Sequence, residues 1–485
     1  MLRSVTCGGV WTGEDERPLG PCRIHISEGR IHHIEEVASS TAGPFALPGF
    51  VDAHCHFTWT GMEELLVDLK GTCSADDFLQ KVSAAVSDAD TGRILRGYGF
   101  DESNWTDEGL PSLEELDGVT GSRPAILVRI CGHMAMVNSA MINLLPNGAP
   151  GLNGETGIIS EGVIFDLSVL FPPEDSIIEK AVRNAAATAL STGVTGICSF
   201  EYPATARYLS EHSCPVDTCV FVYGRHLDAM DETLIQSSDG LKFFLDGSIG
   251  ASTAAVSGSY RNGTSVRPIM SGGELARSME LAEEHGSIPS YHAIGGKALK
   301  QLIDSLTDFR KKAERPFPAR VEHAEELLYC WPDEWDPELD TFVMQPNFVS
   351  RWQKPGGLYE KMLGDDRSRN LNPFKQVLDA GFRMCFGSDG MPFGPLKGLF
   401  GATDHPLQEF SLSVSQALRA YTLDAASVCG FQDAARPLSP GRVADITLLS
   451  ASPFEEPWEN LEIRGVFSGG EKVFGEDSEG SGTAI

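Results

Sequence analysis

From Glu174 to about residue 430 the chain repeats one pattern, an apolar stretch of strand length followed by a stretch with helical spacing. No other feature narrows the fold as far. Strand-like runs recur at Val194–Phe200, Val220–Val222, Leu241–Leu245, Ile288–His292, Arg320–His323, Phe342–Pro346 and Arg383–Asp389. Helical segments lie between several of them, notably Gly273–His285 and Gly296–Phe309. Strands separated by helices pair in parallel, so the fold class is α/β. Alternation over this length favours a closed (β/α)8 TIM barrel over an open sheet. Pro346 fits that reading only because it ends its strand, where a missing N–H costs no ladder bond.

Outside this region the pattern changes to hairpins. Cys22–Ile26 and Arg30–Ile34 alternate apolar with polar residues and are punctuated by Gly20-Pro21 and Glu28-Gly29. Gly441–Leu449 and Ile463–Phe467 do the same near the other end. Residues 1–46 with 438–475 are therefore expected to form one small β-sandwich domain, and 47–437 the barrel inserted between them. Ser415–Cys429 reads as a last helix. Gly92–Gly99 and Pro124–Ile130 read as strands, while the stretch 101–162 as a whole, rich in Gly, Asn and Pro, reads as a loop insertion on the barrel. Residues 476–485, with few large apolar side chains, are expected to be a disordered tail.

A formal net charge of −30 argues against nucleic acid or an acidic membrane surface as partner, since phosphates demand a basic face. The N-terminus lacks the apolar core of a signal peptide, and no stretch is long enough to span a bilayer. The 11 cysteines form no Cys-x-x-Cys pair and read as the reduced thiols of a cytoplasmic protein. Cys214 and Cys219 near His212 hint at zinc, but the spacing is loose and a fourth ligand is missing, so they read as ordinary thiols. His25, His32 and His33 read as exposed strand residues.

The chemistry gathers at strand ends. Leu47-Pro48-Gly49-Phe50-Val51-Asp52-Ala53-His54-Cys55-His56 is a turn-initiated apolar run that finishes in two histidines one residue apart. Alternate strand residues share a face, so His54 and His56 can converge on one ion. Lys242, His292, His323 and Asp389 likewise fall at or near the C-terminal ends of expected strands, the rim of a barrel where active sites are built. Neutral imidazoles suit divalent transition ions such as zinc, and a carboxylate adds charge and a hard oxygen. Lys242 has donors only and cannot ligate a cation as an ammonium. Carboxylation by carbon dioxide would make it an anionic carbamate with two oxygens, able to bridge two ions. The alternative is a charged lysine that orients substrate or pairs with Asp246.

The Leu47–His56 run, together with Lys242–Gly250, His292–Gly295, Glu322–Ala324, Gly387–Asp389 and Gly441–Asp445, resembles the amidohydrolase superfamily of metal-dependent hydrolases. The resemblance covers almost the whole chain and is closest to the amidohydrolase 3 branch that includes N-substituted formamide deformylase. It implies a binuclear centre of two divalent ions, zinc foremost. His54 and His56 would hold the more buried ion and His292 and His323 the second. A carboxylated Lys242 would bridge them, and Asp389 would ligate and accept the nucleophile's proton. The implied reaction is hydrolysis of a non-peptide carbon–nitrogen bond, in a small-molecule amide or N-substituted formamide, by a metal-activated hydroxide. A homodimer is the family expectation.

Two other readings stay open. A mononuclear deaminase of the same superfamily usually follows the strand-five histidine with a glutamate, whereas here Ala293-Ile294-Gly295-Gly296 follow His292. A non-catalytic relative would keep the barrel for assembly or regulation. Gly296 stands where many relatives carry an acid, which puts the polarity around His292 in question. Gly132–Ser139 looks like another run of the branch, making His133 and Asn138 candidates for the pocket wall. His133 could polarise a carbonyl or cap a loop. Trp105 and Trp352 could add an apolar wall or pack exposed loops.

Overall fold

The computed structural model of the chain describes residues 3–475 apart from 39–42, 87–92, 106–108, 131, 133, 161–162, 164–165, 226–231, 331–334, 391–392 and 432–436. His133 and the tail at 476–485 therefore lie outside the described residues. Two compact units are present, one of Met1–His56, Ala186–Glu201 and Ser213–Ile485, the other of Phe57–Ala185 and Tyr202–His212.

The first unit contains eight parallel strands, β1 (Phe50–Cys55), β2 (Val194–Glu201), β3 (Asp217–Tyr223), β4 (Gly240–Phe244), β5 (Ile288–Ala293), β6 (Ala319–His323), β7 (Asp340–Met344) and β8 (Arg383–Phe386). They neighbour one another in chain order. The sheet closes where the Asp389 N–H donates to the His54 carbonyl at 2.7 Å and Cys55 bridges Asp389. This is a (β/α)8 barrel. Its strands are buried on both faces, which is why they appear in the sequence as near-continuous apolar runs instead of alternating ones. Helices Gly272–His285 and Gly296–Arg310 follow β4 and β5.

The single helix expected over 415–429 is two, Val414–Ala420 and Leu423–Val428. The break frees the Tyr421 carbonyl to accept the Val51 N–H of β1 at 2.8 Å, so a helical bond is exchanged for one that anchors the barrel's first strand.

Both chain ends build a β-sandwich. A sheet of Arg3–Cys7, Cys22–Ser27 and Arg30–Glu36 faces a five-stranded one that includes Phe45–Pro48, Ile446–Leu449 and Ile463–Ser468. Cys22, Ile24 and Ile26 from the first meet Ala46, Ile446, Leu448 and Phe467 from the second in one core. The Gly49 N–H donates to the Asp445 carbonyl at 2.9 Å while the Asp445 carboxylate accepts the Gly469 N–H at 2.7 Å. The turn leading into β1 is thereby fastened to the C-terminal hairpin.

The second unit is not a set of loops. Within 101–162, where composition suggested loops, Ala125–Arg129, Met134–Val137, Leu152–Asn153 and Ile158–Ser160 join Leu95–Phe100 and Val67–Asp68 in a six-stranded sheet. Its strands are short and face two cores, Phe78, Phe100, Leu127 and Met136 in one, Ile126, Ala135, Val137 and Ile159 in the other. The apolar runs at Gly92–Gly99 and Pro124–Ile130 are legible as strands, whereas the shorter strands after them carry a turn-rich composition that hid them. Among the described residues no helix is long and apolar enough to cross a membrane.

The barrel seam depends on Gly387. A Cβ there would lie 2.4 Å from the His54 backbone nitrogen and 2.6 Å from the His54 Cβ. Gly387→Ala is expected to destabilise the protein by about 1–3 kcal/mol, the usual cost of overpacking a tight core. A urea midpoint below that of the unaltered protein checks this, and an unchanged midpoint contradicts it.

Candidate metal centre

Barrel closure brings six side chains to one end of the strands: His54 and His56 at the end of β1, Lys242 in β4, His292 in β5, His323 closing β6 and Asp389 just beyond β8. The His54 Nε2 and His56 Nε2 stand 3.3 and 3.1 Å from the same oxygen of Asp389. One donor atom each from His54, His323 and Asp389 lies within 4.8 Å of the others. The His323 ring sits 4.8 Å from that of His54 and 4.4 Å from that of His292, centroid to centroid. Two of these residues hold left-handed backbone, His323 at φ 73° and Asp389 at φ 63°. Asp and His tolerate that region better than most residues, but the conformation costs energy that the surrounding packing must offset.

Each imidazole has one nitrogen committed to a partner. His54 Nδ1 meets the Glu322 carboxylate at 2.6 Å, and His323 Nδ1 meets the Gln345 side-chain oxygen at 2.6 Å. His56 Nδ1 meets the Tyr223 hydroxyl at 3.0 Å, and His292 Nε2–H donates to the Gly247 carbonyl at 3.0 Å. Such partners fix tautomer and ring orientation and raise the basicity of the opposite nitrogen. Glu322 is itself held by Ser290 Oγ at 2.7 Å and Arg320 Nε at 3.0 Å. Asp52, buried in β1, accepts the backbone N–H groups of Ser388 and His54 at 3.0 and 3.2 Å and so ties both sides of the seam to one carboxylate.

Among the described residues Lys242 has no such partner. It is 1% exposed, and its Nζ has no hydrogen-bond partner among the described residues. The Nζ lies 3.9 Å from the centroid of the Phe200 ring, against which His54 also packs at 4.4 Å. Burial pulls the amine down to about 8, against the pull of Glu322 and Asp389 in the other direction. Asp246, the alternative ion-pair partner, is engaged elsewhere. Its carboxylate accepts the N–H groups of Ala255, Ile294 and Gly295 at 2.8 to 3.0 Å.

The remaining charges suit a cation. Burial pulls His292 down to about 3 and His323 well below the usual imidazole range, so both are neutral at pH 7, the form that ligates metal. Burial pushes Asp389 up, but hydrogen bonds from His54 and His56 outweigh it and hold the carboxylate ionised. An amine without a partner, neutral imidazoles and an ionised carboxylate are a donor set that fits divalent ions, provided the amine is converted to an anion.

The residues expected to line a substrate pocket part company. Asn138 belongs to the core of its unit. Its amide caps Met141 N–H at 3.0 Å, accepts the Ala125 N–H at 3.0 Å and donates to Thr120 Oγ1 and the Arg123 carbonyl, both at 2.8 Å. With every bonding position used internally, it is a structural pin and not a pocket wall. Trp105 packs against Phe78 and Phe100 in the same unit's core, so it is no exposed loop residue. Trp352 does approach the centre, since its ring meets Phe348 at 4.7 Å and Phe348 stacks parallel to His323 at 6.1 Å.

Some positions carry roles that sequence reading missed. Tyr223, Gln345 and Glu322 orient histidines, and Phe244, 40% exposed, lies 5.2 Å from the His292 ring as an apolar wall. Gly296 has a steric cause. A Cβ there would sit 2.0 Å from Ser257 Oγ, and the Gly296 N–H donates to the Glu326 carboxylate at 2.8 Å, which also accepts the Ser257 N–H at 2.7 Å.

Known proteins share this architecture. The amidohydrolase family model matches residues 42–474. Protein LONG AFTER FAR-RED 3 of Arabidopsis thaliana is 25% identical over 97% of this chain and 91% of its own length. N-substituted formamide deformylase of Arthrobacter pascens is 21% identical, with 85% of each chain covered. A solved structure described as an uncharacterized metal-dependent hydrolase from Pyrococcus horikoshii superposes with a TM-score of 0.75 at 24% identity, over 95% of this chain and 99% of that one. The barrel, its rim of histidines and the match over most of the sequence lead to one conclusion: this chain belongs to the amidohydrolase family of metal-dependent hydrolases.

Proposed function

We propose that the protein hydrolyses the carbon–nitrogen bond of a small amide, with N-substituted formamides and N-acyl amines as its substrate classes, on a centre of two divalent ions, zinc by donor chemistry. His54 and His56 would hold one ion, His292 and His323 the other, and Asp389 would add a carboxylate oxygen. Lys242 would bridge them as a carbamate. The observation that carries the reading is the Lys242 amine, buried without a hydrogen-bond partner among the described residues beside the histidine cluster. An uncharged amine can attack carbon dioxide: the nitrogen lone pair forms the N–C bond, one proton leaves to solvent, and the product is an anion with two oxygens.

When bound, the ions acidify water at neutral pH and polarise the substrate carbonyl. The protein's own residues do the rest. The Asp389 carboxylate, ionised and in contact with both β1 histidines, takes the proton of the attacking water and passes it to the departing amine. Tyr223 and Glu322 keep the β1 imidazoles oriented. Phe244 and Trp352 offer apolar surface for the amine's substituent and exclude water there. The deformylase relative acts on N-substituted formamides by name, which supports starting with that class.

The test is turnover. Protein purified without chelator and loaded with zinc and bicarbonate is expected to release amine from members of an N-substituted formamide and N-acyl amine panel. Asp389→Asn, which keeps shape but not basicity, is expected to lower kcat by about 10²–10⁴-fold. No amine released across the panel by ion-loaded protein, or ammonia released from aminated heterocycles instead, would count against the reading.

A second prediction concerns pH. Only the neutral amine reacts with carbon dioxide, and burial brings Lys242 down to about 8. At fixed dissolved carbon dioxide, the initial rate of carbamate formation by the metal-free protein should therefore rise as pH climbs toward 8 and level off above it. A rate that goes on rising to pH 10, as for an ordinary exposed lysine, would show that Lys242 is not desolvated.

A further inference from the structure

Three cysteines that the hydrolytic centre does not use converge inside the barrel. Cys198 sits in mid β2, Cys219 is its register partner in β3, and Cys429 follows the helix Leu423–Val428. They are 0%, 3% and 5% exposed, and their sulfurs all lie within 4.8 Å of one another. Three sulfurs around one zinc-type ion, at about 2.3 Å each, stand about 3.8–4.0 Å apart, so the cluster needs only a small contraction. The sequence hint at Cys214 and Cys219 is thus redirected: Cys219 belongs with two thiols remote in the chain.

A cation faces this cluster. Arg320 Nη1 donates to Cys198 Sγ at 3.2 Å, while the same guanidinium holds Glu322 at 3.0 Å and the Ala53 carbonyl at 2.7 Å. Three thiolates and one divalent ion carry a net charge of −1, which the Arg320 guanidinium, shared with Glu322, offsets in part. Burial pushes the Cys198 thiol up, but hydrogen bonds from Cys219 and Cys429, with Arg320 behind them, outweigh it and favour a thiolate there. Behind the cluster, the Asp239 carboxylate accepts from the Cys219 thiol and from the Val220 N–H, at 2.7 Å for the latter.

We propose that Cys198, Cys219 and Cys429 form a separate site for one thiophilic divalent ion of the zinc type. The remaining thiol protons leave to solvent as the ion binds. Through Arg320 and Glu322 the site is three hydrogen bonds from His54, so its ion helps hold the orientation of that histidine.

Cobalt(II) distinguishes this site from the hydrolytic one, because only thiolate ligands give an intense near-ultraviolet charge-transfer band, and the hydrolytic donors are nitrogen and oxygen. Full-length protein titrated with cobalt is expected to develop that band with one equivalent, and to develop it equally in His54→Ala and in Cys214→Ser. Cys198→Ser and Cys429→Ser, each checked for native circular dichroism, are expected to lose the band. Two variants at distant chain positions keep the test alive if one fails to fold. No band at excess cobalt in the unaltered protein, or a band that survives in both folded variants, would overturn the proposal.

Discussion

A primary amine enclosed by protein with nothing to bond is a costly arrangement. Burying an unpaired polar group costs on the order of 1–3 kcal/mol, and an unpaired ammonium costs more. Among the described residues Lys242 is held that way by packing: Phe200 covers its Nζ, and Asp246, four residues further on, is consumed by three backbone N–H groups. A fold tolerates such a site when the group has another form that the surroundings stabilise. In the proposed function, conversion to a carbamate would supply that form, turning an orphaned donor into two oxygens beside neutral imidazoles.

The rest of the rim supports the same chemistry. Glu322, Gln345, Tyr223 and the Gly247 carbonyl each engage one nitrogen of a histidine, which fixes the ring and leaves the opposite nitrogen to act. Glu322 stays ionised because Arg320, Lys242 and His54 outweigh the burial that pushes it up. Asp52 spans the seam between β1 and Ser388, so the placement of His54 and Asp389 depends on barrel closure. The fold and the centre are therefore one construction: strain at His323 and Asp389 is tolerated where closure over-determines the backbone.

Sequence pattern made much of this legible for a physical reason. Strands of a parallel barrel are buried on both faces and separated by helices, so both their positions and their chemically loaded ends stand out locally. His54, His56, Lys242, His292, His323 and Asp389 could be singled out one strand at a time. Their supporting partners could not, because Glu322 meets His54 across 268 positions and Tyr223 meets His56 across 167. Such pairs exist only once the barrel has closed. The three-cysteine cluster was hidden for the same reason. Asn138 and Trp105 misled differently: both lie in short strands and turns whose composition resembles loops, while their side chains serve the core of a six-stranded sheet.

The state of the Lys242 nitrogen decides the account. Metal-loaded protein equilibrated with ¹³C-bicarbonate can be observed by ¹³C NMR, beside Lys242→Ala prepared in the same way. A protein-bound carbamate carbon signal in the first and its absence in the second is the predicted result. Metal-loaded protein without such a signal, or a signal that persists in Lys242→Ala, would contradict the assignment of Lys242 as the bridging anion and with it the two-ion centre.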